Sequence, residues 1–258
     1  LVVESICEFD RAYVKMIQNP YGSAPTAEVQ AISGQYVPDD FTNTDEALTV
    51  ADEVIVSEHI YDFENILTQF DMFSNRTEEM AFAVAEKIDK FVLNNLTEDA
   101  TGAYTTPIGG FTDPVNVAEI MANLLSKVAG YADVYKGLFL VIENTDITGI
   151  IEKQLEAGFS FADAAWKNGF IRSMLGVDIY VTRSGTFADE TLGTTTYTNS
   201  GHRVFGVKRV ATYASPRGIR FEEKPVSGKT GMEVVYFGYI AVKLWFQKTA
   251  LVVDITNG

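Results

Sequence analysis

Residues 20–57 read PYGSAPTAEVQAISGQYVPDDFTNTDEALTVADEVIVS, and the reading of this stretch decides the fold. Gly22, Pro25, Gly34, Pro38 and the run from Asp39 to Asn43 punctuate two β-like segments, Glu28 to Val37 and Ala47 to Val56. That pattern predicts a long extended hairpin with an irregular tip. The stretch has little apolar content with which to build a core of its own. An isolated hairpin is marginal in water, so a limb of this kind needs another surface to lie on. It also lacks cations. Between Lys15 and Arg76 there is no Lys or Arg, while eleven acids occur from Glu28 to Asp71.

On the N-terminal side of the limb, Ile6, Phe9, Tyr13 and Ile17 recur at helical spacing, and Asn19-Pro20 ends the pattern. Leu1 opens the chain, as expected if the polypeptide is processed or if an N-terminal segment precedes it. On the other side, residues 75–96 predict the clearest helix. Ala81, Val84, Ala85, Ile88, Val92 and Leu96 share one face, and Asn75 with Glu78 and Glu79 suits an N-cap with acids in the first turn. A Thr- and Gly-rich loop is expected from Thr97 to Gly110. A second helix follows from Asp113-Pro114, with the stripe Val117, Ile120, Met121, Leu124, Leu125, Val128 and a stop at Gly130. Leu138 to Ile142 reads as a buried strand and Asp146 to Leu155 as the helix after it. A short helix at Ala162 to Asn168, a strand at Val177 to Thr182 and a long polar surface loop from Thr186 to Gly206 come next. The remainder is β: Val207 to Tyr213, Ile219 to Pro225, Val234 to Phe246 and Ala250 to Ile255. The class is α+β.

The 258 residues suit one large domain or two closely joined ones, and an apolar content of 47% excludes a mostly disordered chain. One cysteine, Cys7, excludes an intramolecular disulfide framework. The longest apolar run, Val234 to Val242, is too short for a bilayer, which needs roughly 20 residues, and no charged-then-apolar leader opens the sequence. The charge is uneven. Residues 1–150 hold 25 acids and 7 bases, a balance of −18, whereas residues 151–258 hold 10 and 13, a balance of +3. A chain at −15 is poorly suited to wrapping free DNA or an anionic membrane. Its acidic and basic portions are suited to meeting between neighbouring copies.

No constellation for catalysis, cofactor or metal binding is found. His59 and His202 have no metal-ligand spacing. Ser227 to Thr230 reads Ser-Gly-Lys-Thr, but Glu223 stands where a phosphate loop needs glycine and no helix opens there, so it predicts a hairpin turn. Cys7 has no cationic neighbour in sequence. In the acids at 39–46, Phe41 occupies a position where a calcium loop needs an oxygen ligand. Glu222 and Glu223 alternate across a strand and make poor acid–base partners. The Asn75 and Asn95 glycosylation triplets are short enough to arise by chance.

The order of elements therefore carries the functional reading. The run from Val54 to Asp71 is similar to the strand that leaves the extended loop in the tailed-phage major capsid proteins. Ala81 to Leu93 resembles their spine helix. Gly137 to Ile142 with its helix, then Gly169 to Ser184, resembles their axial domain, and Val234 to Phe246 resembles the strands that close their peripheral domain. The likeness covers residues 20–255 and rests on order and spacing. It implies the Hong Kong 97-type fold: an N-terminal arm at 1–19, an extended β-hairpin loop at 20–57, and a peripheral domain at 58–113 with its spine helix at 75–96. A mainly axial domain, with part of the peripheral one, would occupy 114–206, and the peripheral domain would resume at 207–258.

The resemblance implies a structural, non-enzymatic subunit. Its copies would form hexamers and pentamers of an icosahedral shell around double-stranded DNA, held without sequence-specific contacts. The implied place is the virion, assembled in the host cytoplasm, with no membrane contact. Implied partners are the portal protein, scaffolding and cementing proteins and a maturation protease. An encapsulin-like compartment, and from a different class an acidic hydrolase or carbohydrate-binding domain, are the alternatives. Because positions 16–75 contain no lysine, no isopeptide is expected from the loop, and covalent ladders mapping to 20–57 on a denaturing gel would contradict that. The expected inter-subunit contacts set Glu28, Asp39, Asp40, Asp45, Glu46, Asp52 and Glu53 of one copy against Arg203, Lys208, Arg209, Arg217 and Arg220 of another.

Overall fold

A 13-residue strand, β14 (Met232–Leu244), is the axle of the first sheet. Its β-branched and aromatic residues favour a pleated, half-buried surface. β4 (Asp52–Ile60) lies antiparallel along one side of it, from Ile60 opposite Met232 to Asp52 opposite Ile240. The other side is shared by β13 (Arg220–Pro225) and β12 (Ala211–Ala214), and β1 (Glu8–Asp10) adds in parallel to β12. The computed structural model describes residues 2–10, 16–22, 29, 32, 34, 43–61, 72–156, 170–226 and 230–258.

The two faces of β14 have different partners. Val234 packs with Met80 and Ile60, while Ile240 and Leu244 join Val84, Ile88 and Val92 in the main core, so this face receives helix α2 (Met72–Asp99). Ala241 and Trp245 point the other way, against Leu48 of β3 (Asn43–Thr49) and Ala214. Period-2 alternation thus serves a helix on one side and the root of the limb on the other.

The second sheet runs β5 (Gly102–Thr105), β15 (Val252–Thr256), β11 (His202–Val207), β6 (Leu138–Glu143), β8 (Val177–Thr182), β7 (Phe170–Met174). β6 is buried along its whole length, as its unbroken apolar run requires. Against this region pack α3 (Pro114–Val128) and α4 (Ile147–Glu156). Asp113 caps α3, its carboxylate accepting from the Val115 N–H at 2.9 Å, and Pro114 sits in the first turn as predicted. Val117, Ile120, Met121, Leu124 and Val128 are buried in the same core that holds α2, so both sheets share one hydrophobic centre.

Several expectations are corrected. Among the described residues near the N-terminus only Val3–Ile6 (α1) is helical; β1 and β2 (Met16–Gly22) follow. Long-range strand pairing, to β12 and to β3, overrides the local helical spacing. Helix α2 extends beyond 75–96 at both ends, so Asn75 lies inside it rather than at its cap. β5 occupies part of the expected Thr97–Gly110 loop, paired in parallel with β15.

The largest miss is Thr186–Gly206. It contains the hairpin β9 (Asp189–Leu192) and β10 (Thr195–Thr198), and then β11, at the centre of the second sheet. Threonine is β-branched and accepts a strand readily, so the polar composition concealed strands anchored by Phe187, Leu192 and Tyr197. The expected strand Val207–Tyr213 is broken after Val207, where a turn precedes β12. The antiparallel pairing of β13 with β14 agrees with a hairpin across Ser227–Thr230, although residues 227–229 lie outside the described set. So does the predicted Ala162–Asn168 helix.

Candidate assembly interface

The limb has a root. β2 and β3 pair antiparallel from Met16 opposite Thr49 to Gly22 opposite Asn43. The hairpin stem is therefore Met16–Gly22 with Asn43–Thr49, and the predicted run Ala47–Val56 divides at Val50-Ala51, where the chain leaves the limb for β4. Leu48 is buried against Ala214, Ala241 and Trp245. Glu46 completes the fastening: one carboxylate oxygen lies 2.9 Å from the Lys243 ammonium and the other accepts from the Phe246 N–H at 2.9 Å. Lys243 also donates to the Ala47 carbonyl at 3.0 Å. Beyond the root the pattern reverses. Val29 and Ile32 have relative exposures of 103% and 110%, so both apolar side chains face solvent. The rest of the Glu28–Val37 run lies outside the described residues.

The structure sorts the twelve charged residues expected at subunit contacts. Arg203 is buried: its Nε bonds Asp146, its other end lies 3.3 Å from Glu143, and the Phe187 ring sits 5.9 Å away. Glu143 also accepts from the Gly185 and Phe187 N–H groups. Buried charge is tolerable only with such partners, so Arg203 serves its own fold and cannot meet a neighbour. Lys208 bonds Asp178 and the Tyr180 hydroxyl. Glu46 belongs to the limb root. Asp52 accepts from the Thr194 N–H at 3.0 Å, and Gly193, at φ 61°, lets the β9–β10 turn come this close to it. Asp45, Glu53, Arg209, Arg217 and Arg220 are exposed, with no ion pair among the described residues. Glu28, Asp39 and Asp40 lie outside that set.

Sequence reasoning missed a groove. It lies between β4, α2 and the β9–β10 turn, encloses about 350 Å³, and is lined by Val54, Val56, Ala83, Val84, Phe91 and Leu192 among others. At its rim Lys87, and beyond it Lys90, share the single carboxylate of Glu190, whose pKa they hold below the usual range. The groove is mostly apolar within, but Asp52 and Glu53 also line it, and Lys87, Lys90 and Glu190 stand beside it. Nothing in the sequence placed 189–198 beside the helix, because the hairpin itself was read as loop.

The titratable groups elsewhere are structural. Burial pushes the Cys7 thiol up to about 12, with Asp89 adding to the effect, which makes it unreactive at neutral pH. The imidazole Nδ1 of His202 lies 2.9 Å from Asp254 across the β11–β15 pair. Among the described residues no group of three or more His, Cys, Asp or Glu could hold a metal, and no helix is long and apolar enough to cross a membrane.

This architecture is that of phage capsid proteins. The chain superposes on the capsid protein of the cyanophage P-SCSP1u with a TM-score of 0.75 at 11% identity, covering 99% of this chain and 87% of that one. For the capsid of the Helicobacter pylori bacteriophage KHP30 the values are 0.69, 10%, 96% and 85%, and for Mycobacterium phage Che8 they are 0.68, 17%, 94% and 84%. No family model and no curated sequence matches. The likeness is one of fold, across nearly the whole chain.

Proposed function

We propose that this chain is the shell-forming subunit of a tailed-phage capsid of the Hong Kong 97 type. Its copies assemble as hexamers and pentamers around double-stranded DNA in the virion, and portal, scaffolding, protease and cementing proteins are its partners. The observation that carries the reading is the limb: rooted on its own sheet, it leaves Val29 and Ile32 wholly in water. Burying two such side chains is worth roughly 1.5–3 kcal/mol each, which only another surface can supply. The groove between α2, β4 and the β9–β10 turn suits them on a neighbouring copy. Its apolar lining, Val54, Val56, Ala83, Val84, Phe91 and Leu192, is what recommends it for these two side chains. Ring closure by head-to-tail contacts then multiplies weak interactions into a stable particle.

Exposed Asp45 and Glu53 of one copy, facing exposed Arg209, Arg217 and Arg220 of another, form the salt-sensitive part of the contact. Negative-stain microscopy of the purified protein tests the reading. Uniform shells, rings or capsomers are expected, and a monodisperse monomer at every concentration contradicts it. Particle stability unchanged between low and molar salt removes the ionic component, since screening acts within about 3 Å at 1 M.

A further inference from the structure

Leu175 occupies a turn position that disfavours leucine. Met174 pairs with Val177, which leaves a two-residue turn of Leu175 at φ 53° and Gly176 at φ 79°. Two positive φ values are those of a type I′ hairpin, whose first position prefers Asn, Asp or Gly; a bulky side chain there is sterically strained. The leucine side chain is also 63% exposed, so its strained backbone is not offset by burial within the subunit.

Neighbouring elements share this end of the second sheet. Val177 pairs with Leu138, and Leu138 with Val207, so the turn, the segment ending at Gly137 and the residues after Val207 lie side by side. The Gly137 carbonyl accepts from the Lys208 N–H at 2.9 Å. Just before Gly137, Tyr135 is 82% exposed. Four cations stand nearby, Lys136, Lys208, Arg209 and Lys248; Asp133 and Asp178 pair with three of them, and Glu4 and Glu8 flank Ile6, whose carbonyl accepts from the Arg209 N–H. Lys136 and Lys248 share Asp133, at 2.6 and 3.7 Å, and Lys208 bonds Asp178. Burial and the adjacent Lys136 lower the Lys248 pKa, the mark of cations crowded together.

We propose that this end of the sheet docks a second copy of the chain, with Leu175 and Tyr135 as the apolar centre and Arg209 and Lys136 as a cationic rim for the partner's acidic first half. The inference rests on the container reading and adds a surface to it. Two copies at −15 repel in most orientations, and the favourable ones set the cations at this end against the portion that carries −18, where Asp45 and Glu53 are exposed. An exposed apolar centre inside a polar rim is the usual anatomy of such a contact.

The full chain and three variants test this by thermal melting, sedimentation and negative-stain microscopy. L175N suits the turn, so the subunit should melt about 2 °C higher or more. It should nevertheless need about tenfold more protein to associate, a 1.4 kcal/mol loss. Y135S should weaken association with the melting temperature unchanged. Arg209 has φ 60°, so R209N keeps a residue that tolerates the left-handed backbone and should weaken association at low salt only. An L175N protein that associates as the wild type does overturns the surface, whichever way it melts. If L175N both melts lower and associates poorly, Y135S decides: unchanged association overturns the surface, weakened association upholds it. Wild-type protein that associates without making shells, and is dissociated by L175N, upholds the surface and overturns the container reading. A wild type that stays monomeric throughout overturns both.

Discussion

The centre of the second sheet and the limb answer the same demand in opposite ways. At the centre, Arg203 is 3% exposed and its charge is matched by Glu143 and Asp146 from the neighbouring β6 and the turn after it. On the limb, Val29 and Ile32 are wholly exposed, with no partner among the described residues. The first region is complete in one copy; under the proposed function, the second is completed by a neighbouring copy. The comparison also explains why a list of charges read from sequence mixes two kinds of residue. Arg203 and Arg209 are six positions apart, yet one closes the fold and the other faces solvent.

The sharpest break is Arg203→Met, which leaves Glu143 and Asp146 buried without their cation. A loss of about 3–5 kcal/mol is expected in urea or thermal unfolding, with assembly failing because the subunit fails. A stability within 1 kcal/mol of wild type would mean that the ionic cluster is not a fold element. Next comes Leu48→Ala at the limb root, expected to cost about 2–5 kcal/mol in unfolding and to loosen the root from Trp245.

Alkaline pH acts on the completed core. Burial raises Cys7 from 9.0 and Tyr213 from 10.0, each to about 12. Folded pKa values above the unfolded ones mean that the stability is fully present below pH 9 and is lost progressively as pH rises towards 12. Thermal melts should fall across that window, and a flat profile would contradict the burial of these two groups.

At the small end, the double change Val29→Ser with Ile32→Ser should shift subunit stability by no more than about 0.5 kcal/mol while abolishing or weakening shells. An equal loss in both assays would show that the limb packs on its own chain.

How much of this was legible in the sequence depended on where each contact lies. α3 was read almost residue for residue, because Asp113-Pro114 and a single apolar stripe are local signals. β6 was legible as a continuous apolar run, and β8 as the strand Val177–Thr182. The class α+β and the likeness to phage capsid folds followed from order alone. What escaped depends on distant pairing: β1 is a strand only because β12 lies beside it, and β9 to β11 are Thr-rich strands whose buried residues are few and scattered. The groove was invisible for the same reason, since its walls come from 52–56, 83–91, 191–193 and Ile240. The limb was legible as an apolar-poor hairpin, but its stem begins at Met16, where a helical spacing had masked the strand.

The most direct test uses Cys7 as an internal reference. With Val29→Cys, maleimide labelling compares one exposed and one buried thiol in the same chain. Fast labelling at position 29 and none at Cys7 is expected in dissociated subunits, with position 29 becoming protected in assembled particles. Protection at position 29 in the lone subunit, or labelling that persists unchanged in particles, would contradict it.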